Sequence, residues 1–223
     1  MSTPSRLPTL SASNDYPGRI VVVGALWSGR PFWLYAVTGR SPSSLARTAE
    51  LADDGTVTIS PTEGSADDDL RHYVAARPIG DGWIVGNGAQ VEGVGAVGLA
   101  DLPDAFEAWE HEPDPPIWTP RIIAAVAPSP TCRIAVGGAR RTPDGSADHL
   151  WLTGSPAAGT GVRIQTYGGP VEEPHPDAVP RWVRTPADVE AAATEVWDAL
   201  APERRVLVVA RDLVTGSVVL RQR

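Results

Sequence analysis

The chain contains no lysine, so all of its positive charge comes from arginine. This absence excludes mechanisms that depend on a Schiff-base lysine or on the lysine of a phosphate-binding P-loop. Arginine stays protonated at any physiological pH, and its planar set of donors matches carboxylate and phosphate oxygens in pairs. Guanidinium groups therefore have to supply any cation that this protein uses to bind an anion.

Cysteine is almost absent, since Cys132 is the single thiol of the chain. One cysteine forms no intramolecular disulfide, and no CxxC motif or His/Cys cluster supplies the ligands of a structural zinc site. The apolar neighbours of Cys132 predict a buried side chain rather than a nucleophile. The four histidines form no HExxH motif and no GxSxG motif is present, which argues against metal-dependent or serine hydrolysis.

Long apolar runs are also missing, both at the N-terminus and elsewhere. Without a signal-peptide core or a membrane-spanning run, we expect a cytoplasmic protein. The net charge of −8 argues against a general nucleic-acid or acidic-membrane partner, although a local arginine cluster would still suit one small anion. The length of 223 residues fits one globular core. We predict a flexible tail at residues 1–15, rich in Ser, Thr and Pro, and a single domain at residues 16–223.

The most informative stretch of the chain covers residues 16–47. It predicts two apolar strands at residues 19–26 and 31–38, joined by a turn at residues 28–30. Arginines and serines gather at the strand ends and in the loop beyond, namely Arg19, Arg30, Arg40, Ser41, Ser43, Ser44 and Arg47. Such donors suit a phosphate or another oxyanion, and solvated turn residues are the alternative interpretation.

The remaining pattern predicts many strands and two helices. The predicted strands cover residues 56–60, 71–76, 83–86, 122–127, 133–137, 149–152, 162–167, 205–210 and 217–221. The helices are expected at residues 100–110 and 185–200, the second with Thr185 as its N-cap. Runs of strands separated by single helices favour an α+β sandwich with its helices outside the sheets.

Five short segments point to a family. They are YPGR from Tyr16, TGRSPSSLAR from Thr38, VGNGAQVE from Val85, WTPRI from Trp118 and GVRIQTYGG from Gly161. In kind and in order they resemble motifs of the archaeal-type IMP cyclohydrolase family and its bacterial relatives. The Thr-Pro-Arg-Ile motif at residues 119–122 is reproduced letter for letter.

The resemblance implies an αββα sandwich like that of the N-terminal-nucleophile hydrolases, without an N-terminal nucleophile. It also implies closure of the second purine ring, in which the carboxamide nitrogen of a 5-formamidoimidazole-4-carboxamide ribonucleotide attacks the formyl carbon and water leaves. The substrate would be this small nucleotide, with no metal and no cofactor. The family suggests self-association, and the predicted surface strands and eight Trp residues permit a homo-oligomer.

The resemblance assigns candidate site residues. Those expected to bind substrate are Arg19, Arg40, Ser41, Arg47, Asn87, Gly88 and Tyr167, with Ser43 as a further hydroxyl donor. Those expected to take part in catalysis are Arg121 near the formyl oxygen, Glu110 as general acid or base, and Tyr73. The structural alternatives are an ion pair for Arg121, a solvated helix end for Glu110 and core positions for the tyrosines, including Tyr35.

Some family positions differ in this chain. A tyrosine of the family is Ala76 in this chain, within the stretch at residues 72–77. The Ser-His-Thr-Asp that follows Asn-Gly becomes Ala89, Gln90, Val91 and Glu92, and the Ser-Ser of the early loop becomes Thr38 and Gly39. Three hypotheses fit these changes. The chain is a divergent IMP cyclohydrolase in which Tyr73 or Glu92 covers the missing roles, an enzyme recruited to a related nucleotide or heterocycle, or a silent nucleotide-binding homologue.

Overall fold

Antiparallel sheets dominate the computed structural model, which describes residues 5–6, 16–62, 70–128 and 131–223. The first sheet contains, in spatial order, β1 (Ser5–Arg6), β14 (Arg181–Arg184), β11 (Thr160–Gln165), β2 (Arg19–Ala25), β3 (Pro31–Thr38), β15 (Arg205–Asp212) and β16 (Val218–Gln222). The second contains β10 (Ala147–Gly154), β9 (Arg133–Arg141), β8 (Arg121–Ala127), β7 (Gly82–Gly86), β6 (Tyr73–Ile79), β5 (Val57–Pro61) and β4 (Arg47–Leu51). A ribbon pairs β12 (Tyr167–Gly168) with β13 (His175–Pro176).

The two large sheets pack face to face around one apolar core. Alternate residues of each strand point into it, such as Trp33 of β3 in the first sheet and Ile59 and Val136 in the second. The residues between them point to the opposite face of the sheet, which is covered as well. The valine run of β2 is therefore buried along its whole length. The continuous apolar pattern of β2 therefore arises because both of its faces are covered, as predicted.

Short helices lie outside the two sheets, and three of them pack on parts of the outer faces. In the described residues they are α1 (Pro42–Leu45), α2 (Gln90–Gly93), α3 (Leu102–Phe106) and α4 (Val189–Ala199), with a 3₁₀ turn at Leu99–Asp101. The helix α4 packs Val196 and its buried neighbours on the first sheet. On the second sheet, Val91 of α2 and Phe106 of α3 cover the outer face.

The predicted αββα sandwich is wrong. The described residues form mostly antiparallel sheets with only four short helices, the longest of 11 residues, so there is no helical layer on either side. The helix predicted at residues 100–110 shows why, because it divides into the 3₁₀ turn and the five residues of α3. Beyond Phe106 the chain turns, and Trp109 packs over Gly93. That tertiary contact overrides the helical spacing of the segment.

Several element predictions are confirmed and others are wrong. β2 and β3 form the predicted hairpin, with Arg19 opposite Val37. The last helix begins later than expected, because its N-cap is Asp188, whose carboxylate accepts from the Ala191 amide. The Thr185 hydroxyl donates instead to the carbonyl of Ala25 at the end of β2.

The remaining boundaries stay partly open. The tail predicted at residues 1–15 lies outside the described residues, apart from Ser5 and Arg6, which pair in parallel with Val183 and Arg184. A single domain over residues 16–223 stays a prediction. Among the described residues no helix has both the length and the apolar character needed to span a bilayer. The cytoplasmic location stays a prediction as well.

Candidate active site

A cavity of about 530 Å³ lies where strand ends of both sheets meet the loops around them. Its walls come from the start of β2, the α1 segment, the start of β4, the loop before β8 and the ribbon strand β12. The lining residues are Tyr16, Arg19, Arg40, Ser41, Ser43, Ser44, Arg47, Leu70, Arg71, Glu112, Asp114, Ile117, Thr119 and Tyr167. Five residues predicted to bind substrate therefore line one cavity, namely Arg19, Arg40, Ser41, Arg47 and Tyr167.

The α1 segment forms one rim of the cavity and is held by its serines. Ser41 and Ser44 cap the segment reciprocally, since the Ser41 hydroxyl accepts from the Ser44 amide and the Ser44 hydroxyl from the Ser41 amide. The Ser44 hydroxyl also accepts from the amide of Arg40 at 2.8 Å. A Cβ at Gly39 would lie 2.6 Å from the Ser44 carbonyl oxygen, so only glycine permits this close approach. The capping fixes the backbone that carries Arg40.

Arg19 and Arg47 supply the deep cationic wall of the cavity. Arg19 is 7% exposed and Arg47 is half-buried, and in the described structure the Nε of each has no hydrogen-bond partner. Burial and the like charge of Arg19 lower the pKa of Arg47. Two desolvated guanidinium groups with unused donors favour binding of an anion in this cavity.

Glu112 is the functional candidate that the sequence analysis missed. Its side chain is 2% exposed, its Oε1 accepts from Asn87 Nδ2 at 2.8 Å, and its Oε2 lies 3.9 Å from Arg19 Nη2. Burial raises the pKa of Glu112 from 4.5 to about 7, although Arg19 and Arg121 oppose the shift. A carboxyl group with this pKa can both accept and donate a proton near neutral pH.

Glu110, the predicted acid or base, is exposed and does not line the cavity. Glu110 and Glu112 belong to the same acidic segment, and only Glu112 turns inward. The Glu112 amide donates to the Thr119 carbonyl at 2.7 Å, which folds the segment back onto the Thr-Pro-Arg-Ile motif. Proximity to that motif was the only signal in the sequence that favoured Glu112.

All four tyrosines of the chain surround this region. The hydroxyls of Tyr35 and Tyr73 form a buried hydrogen bond of 2.8 Å. Tyr16 and Tyr167 stack with their ring centroids 5.7 Å apart and line the cavity. Burial, the neighbouring Tyr73 and the hydrogen bond between the two hydroxyls raise the pKa of Tyr35, so Tyr35 offers a hydroxyl group rather than a charge.

The Tyr167 hydroxyl forms a hydrogen bond with the Thr119 hydroxyl. The single Thr119 hydroxyl proton is donated to Asp114, so Tyr167 is the donor in its own contact with Thr119. Burial raises the pKa of Tyr167, and the bond with Thr119 opposes that shift. Tyr167 therefore contributes an aromatic wall and an acceptor oxygen.

Three predicted site residues lie behind the cavity wall. Asn87 is fully buried and donates to Glu112, while Arg121 is half-buried and donates to Gln90 Oε1 at 2.8 Å. The Arg121 guanidinium lies over the Trp109 ring, 5.1 Å from its centroid. Gly88 lies between these groups. Asn87, Gly88 and Arg121 therefore surround Glu112 and do not line the cavity.

We expect the substitution Gly88→Ala to displace Arg121. The new Cβ would meet Arg121 Nη1 and Gln90 Oε1 at 3.0 Å, which is too close without movement of these side chains. Because both are flexible, the free energy of unfolding should change by less than about 1 kcal/mol, while any turnover should fall about tenfold. Thermal unfolding and steady-state rates measure the two effects. Gly154→Ala, whose nearest new neighbour lies at 3.9 Å, is the matched control and should change neither quantity.

Two of the positions that differ from the family motifs, Ala76 and Glu92, do not line the cavity. Ala76 is buried in the core between Val57 and Val85. Glu92 is exposed on α2.

Among the described residues no group of three His, Cys, Asp or Glu side chains could hold a metal ion.

One of the comparisons with known proteins gives a match. A comparison with curated proteins finds no match to the sequence. The model of a family described as "IMP cyclohydrolase-like protein" matches residues 16–216, a range that contains every segment of the cavity wall. That membership supports a cyclohydrolase-like enzyme of purine biosynthesis. The chain belongs to the IMP cyclohydrolase-like protein family.

Proposed function

We propose that the protein closes the pyrimidine ring of a 5-formamidoimidazole-4-carboxamide ribonucleotide to give IMP. The observation that carries the proposal is a buried carboxyl group with a pKa of about 7, Glu112, at the wall of a cavity that also holds guanidinium groups with unused donors. Ring closure needs a group that moves protons near neutral pH and a site for a phosphorylated, oxygen-rich substrate. The cavity combines both requirements.

Glu112 performs the proton transfers in this mechanism. In its ionised form it removes a proton from the carboxamide nitrogen as that nitrogen bonds to the formyl carbon. Glu112, now neutral, gives this proton to the formyl oxygen, which becomes the hydroxyl group of the tetrahedral intermediate. Ionised again, Glu112 takes the proton of the former formamido nitrogen and passes it to that hydroxyl as the carbon–oxygen bond breaks, so that water leaves and the carbon–nitrogen double bond of IMP forms. Arg19 lies 3.9 Å from the carboxyl group and stabilises the negative charge that develops on oxygen.

The phosphate is held between the α1 rim and the deep cationic wall. Arg40, Ser41 and Ser43 line the rim, and Arg47 provides a guanidinium group from the wall. A phosphate dianion forms charge-assisted hydrogen bonds with arginine, which are the strong ones in proteins. With Glu112 titrating near pH 7, the cavity has an excess of positive charge that the substrate neutralises.

Incubation with the formamido ribonucleotide tests the proposed function. Ring closure changes the ultraviolet chromophore, so the absorbance should shift with time and IMP should appear by chromatography. A silent nucleotide-binding homologue would bind the ribonucleotide and leave the spectrum flat. Binding without turnover therefore contradicts the proposal and supports the homologue.

A recruited enzyme for a larger nucleotide is the second candidate, favoured by an adjoining cavity of about 570 Å³. The two cavities share Arg40, Ile117 and Tyr167, and the second adds Trp118 and Arg141. A substrate with an aromatic or anionic extension would reach from one cavity to the other. Turnover of an extended nucleotide amide in preference to the formamido ribonucleotide would favour this candidate.

We expect Glu112 to make the folded protein less stable as the pH rises. The pKa of Glu112 is raised on folding, so between pH 4.5 and 7 the folded state binds more protons than the unfolded state. The stabilisation is complete below the unfolded pKa and is lost as the pH passes the folded pKa. A shift from 4.5 to about 7 corresponds to about 3 kcal/mol. Urea unfolding at pH 5 and pH 8 should show this loss for the parent and not for Glu112→Gln.

A further inference from the structure

Gln90, the first residue of α2, connects two parts of the site. It is fully buried, and its Nε2 donates to Asn87 Oδ1 at 2.9 Å and to the Ile122 carbonyl at 3.1 Å. Both amide protons are therefore used on these acceptors. The remaining atom, Oε1, faces Arg121 and accepts from its Nη1 at 2.8 Å.

Asn87 continues this chain of amides to Glu112. Its Oδ1 accepts from Gln90 and from the Ile122 amide at 2.7 Å, which leaves Nδ2 as the side that faces Glu112. Nδ2 donates to the Pro120 carbonyl at 3.0 Å and to Glu112 Oε1 at 2.8 Å. Because Oε1 already accepts this bond, a neutral Glu112 carries its proton on Oε2, the oxygen nearer Arg19.

We propose that Gln90 is a positioning residue for Glu112, because it holds the Arg121 guanidinium beside the carboxyl group and keeps the Asn87 amide turned so that Oε2 carries the proton. The inference rests on the proposed function, in which Glu112 transfers protons. The Arg121 guanidinium and the Glu112 carboxyl group lie close together on either side of Gly88. A Cβ at Gly88 would lie 3.0 Å from Arg121 Nη1 and 3.5 Å from Glu112 Oε1.

Gln90 provides the hydrogen bond that fixes the Arg121 side chain. The charges of Glu112 and Asp114 also attract Arg121, and its guanidinium lies over the face of Trp109. Because the side chain is half-buried, loss of the Gln90 acceptor lets it turn away from the carboxyl group toward solvent. The titratable and charged groups that face Glu112 are Arg19, Arg47, Arg121, Asp114, Tyr167 and the neighbouring His111. Among them the charge of Arg121 lowers the pKa of Glu112, second only to that of Arg19. Release of Arg121 therefore raises that pKa.

The test compares Gln90→Met, Arg121→Met and the double variant. Carboxyl ¹³C NMR of the ligand-free protein follows the titration of Glu112, and its signal is assigned as the one missing from Glu112→Gln. We expect both single variants to shift the midpoint upward and the double variant to shift it no further than the larger single shift, since both variants remove the effect of the Arg121 charge on Glu112. An unchanged midpoint in Gln90→Met, or a double variant that shows the sum of two shifts, overturns the inference.

A conservative variant separates positioning from a purely structural role. Gln90→His places at this position the residue of the family motif. Histidine still offers one donor and one acceptor, so the variant should keep the titration midpoint of Glu112 in the parent protein. If Gln90→Met fails to fold, Gln90→His and Arg121→Met carry the test. A His variant that titrates like Arg121→Met contradicts the inference.

The titration needs no substrate, so its outcome is independent of the proposed function. If the formamido ribonucleotide is not turned over while the titration shifts occur, the proposed function fails and the positioning of the carboxyl group stands. If turnover occurs, Gln90→Met should move the inflection of kcat against pH upward and change KM less than twofold. Turnover with an unmoved inflection overturns the role of Gln90 and leaves the proposed function intact.

Discussion

Glu112→Gln is expected to reduce ring closure by a factor of about 10² to 10⁴, the usual contribution of one general acid–base group. Glutamine keeps the shape of the side chain and still accepts from Asn87, but it neither takes nor returns a proton. The buried position should therefore remain packed. The measurement is the initial rate with the formamido ribonucleotide by ultraviolet absorbance, together with binding of IMP by calorimetry, which should remain within a few-fold of the parent.

Glu110→Gln is the matched control for this prediction. Glu110 lies two residues away in the same acidic segment and is exposed, so its rate should stay within about twofold of the parent. The parent rate should increase as the pH rises through about 7, because the ionised form of Glu112 acts first as the base. The opposite pattern, an active Glu112→Gln and an inactive Glu110→Gln, would move the proton transfer to Glu110.

Arg47→Met is expected to weaken nucleotide binding without weakening the fold. A charge-assisted hydrogen bond contributes about 1.5 to 3 kcal/mol, so the Kd for IMP should rise about 10- to 100-fold. The ligand-free protein should have an equal or higher Tm. Arg47 is desolvated, has an Nε without a hydrogen-bond partner in the described structure and lies beside the like charge of Arg19.

Two comparisons make the Arg47 prediction specific. Inosine lacks the phosphate, so its affinity should be the same for Arg47→Met and the parent if Arg47 contacts the phosphate. Arg140→Met removes a half-buried arginine that pairs with Asp148 at 3.0 Å outside the cavity, and it should leave IMP binding unchanged. Equal loss of IMP and inosine binding would show that Arg47 acts on the base or the ribose, or on the shape of the cavity.

The strands could be predicted because the order of apolar and polar residues along each strand reflects which of its faces are buried. The valines of β2 read as a strand covered on both faces, and the structure covers both faces. No strand is predicted at β4, because its arginine, threonine and glutamate residues give it only one buried position, Ala49. The helix predicted at residues 100–110 is too long. Its apolar spacing is helical throughout, but Trp109 lies outside the helix and packs over Gly93.

The site could be predicted only in part. Arginine and serine at strand ends, with the order of the motifs, identified the cavity wall at Arg19, Arg40, Ser41 and Arg47. The sequence could not show whether Glu110 or Glu112 is the general acid or base, because the two residues differ in burial and not in residue type. The amide chain had a signal only at Asn87, which matches the family motif, because Gln90 differs from that motif.

The sequence by itself determined the family and the strand-rich character of the chain, and it located the arginines that line the cavity. It did so because short motifs, apolar alternation and the lack of lysine are properties of local order along the chain. Only the tertiary structure decided which carboxyl group leaves water and which guanidinium groups face it. The pKa of Glu112 depends on burial and on charges from β2, β4 and β8, segments far apart in sequence that meet only when the sheets pack.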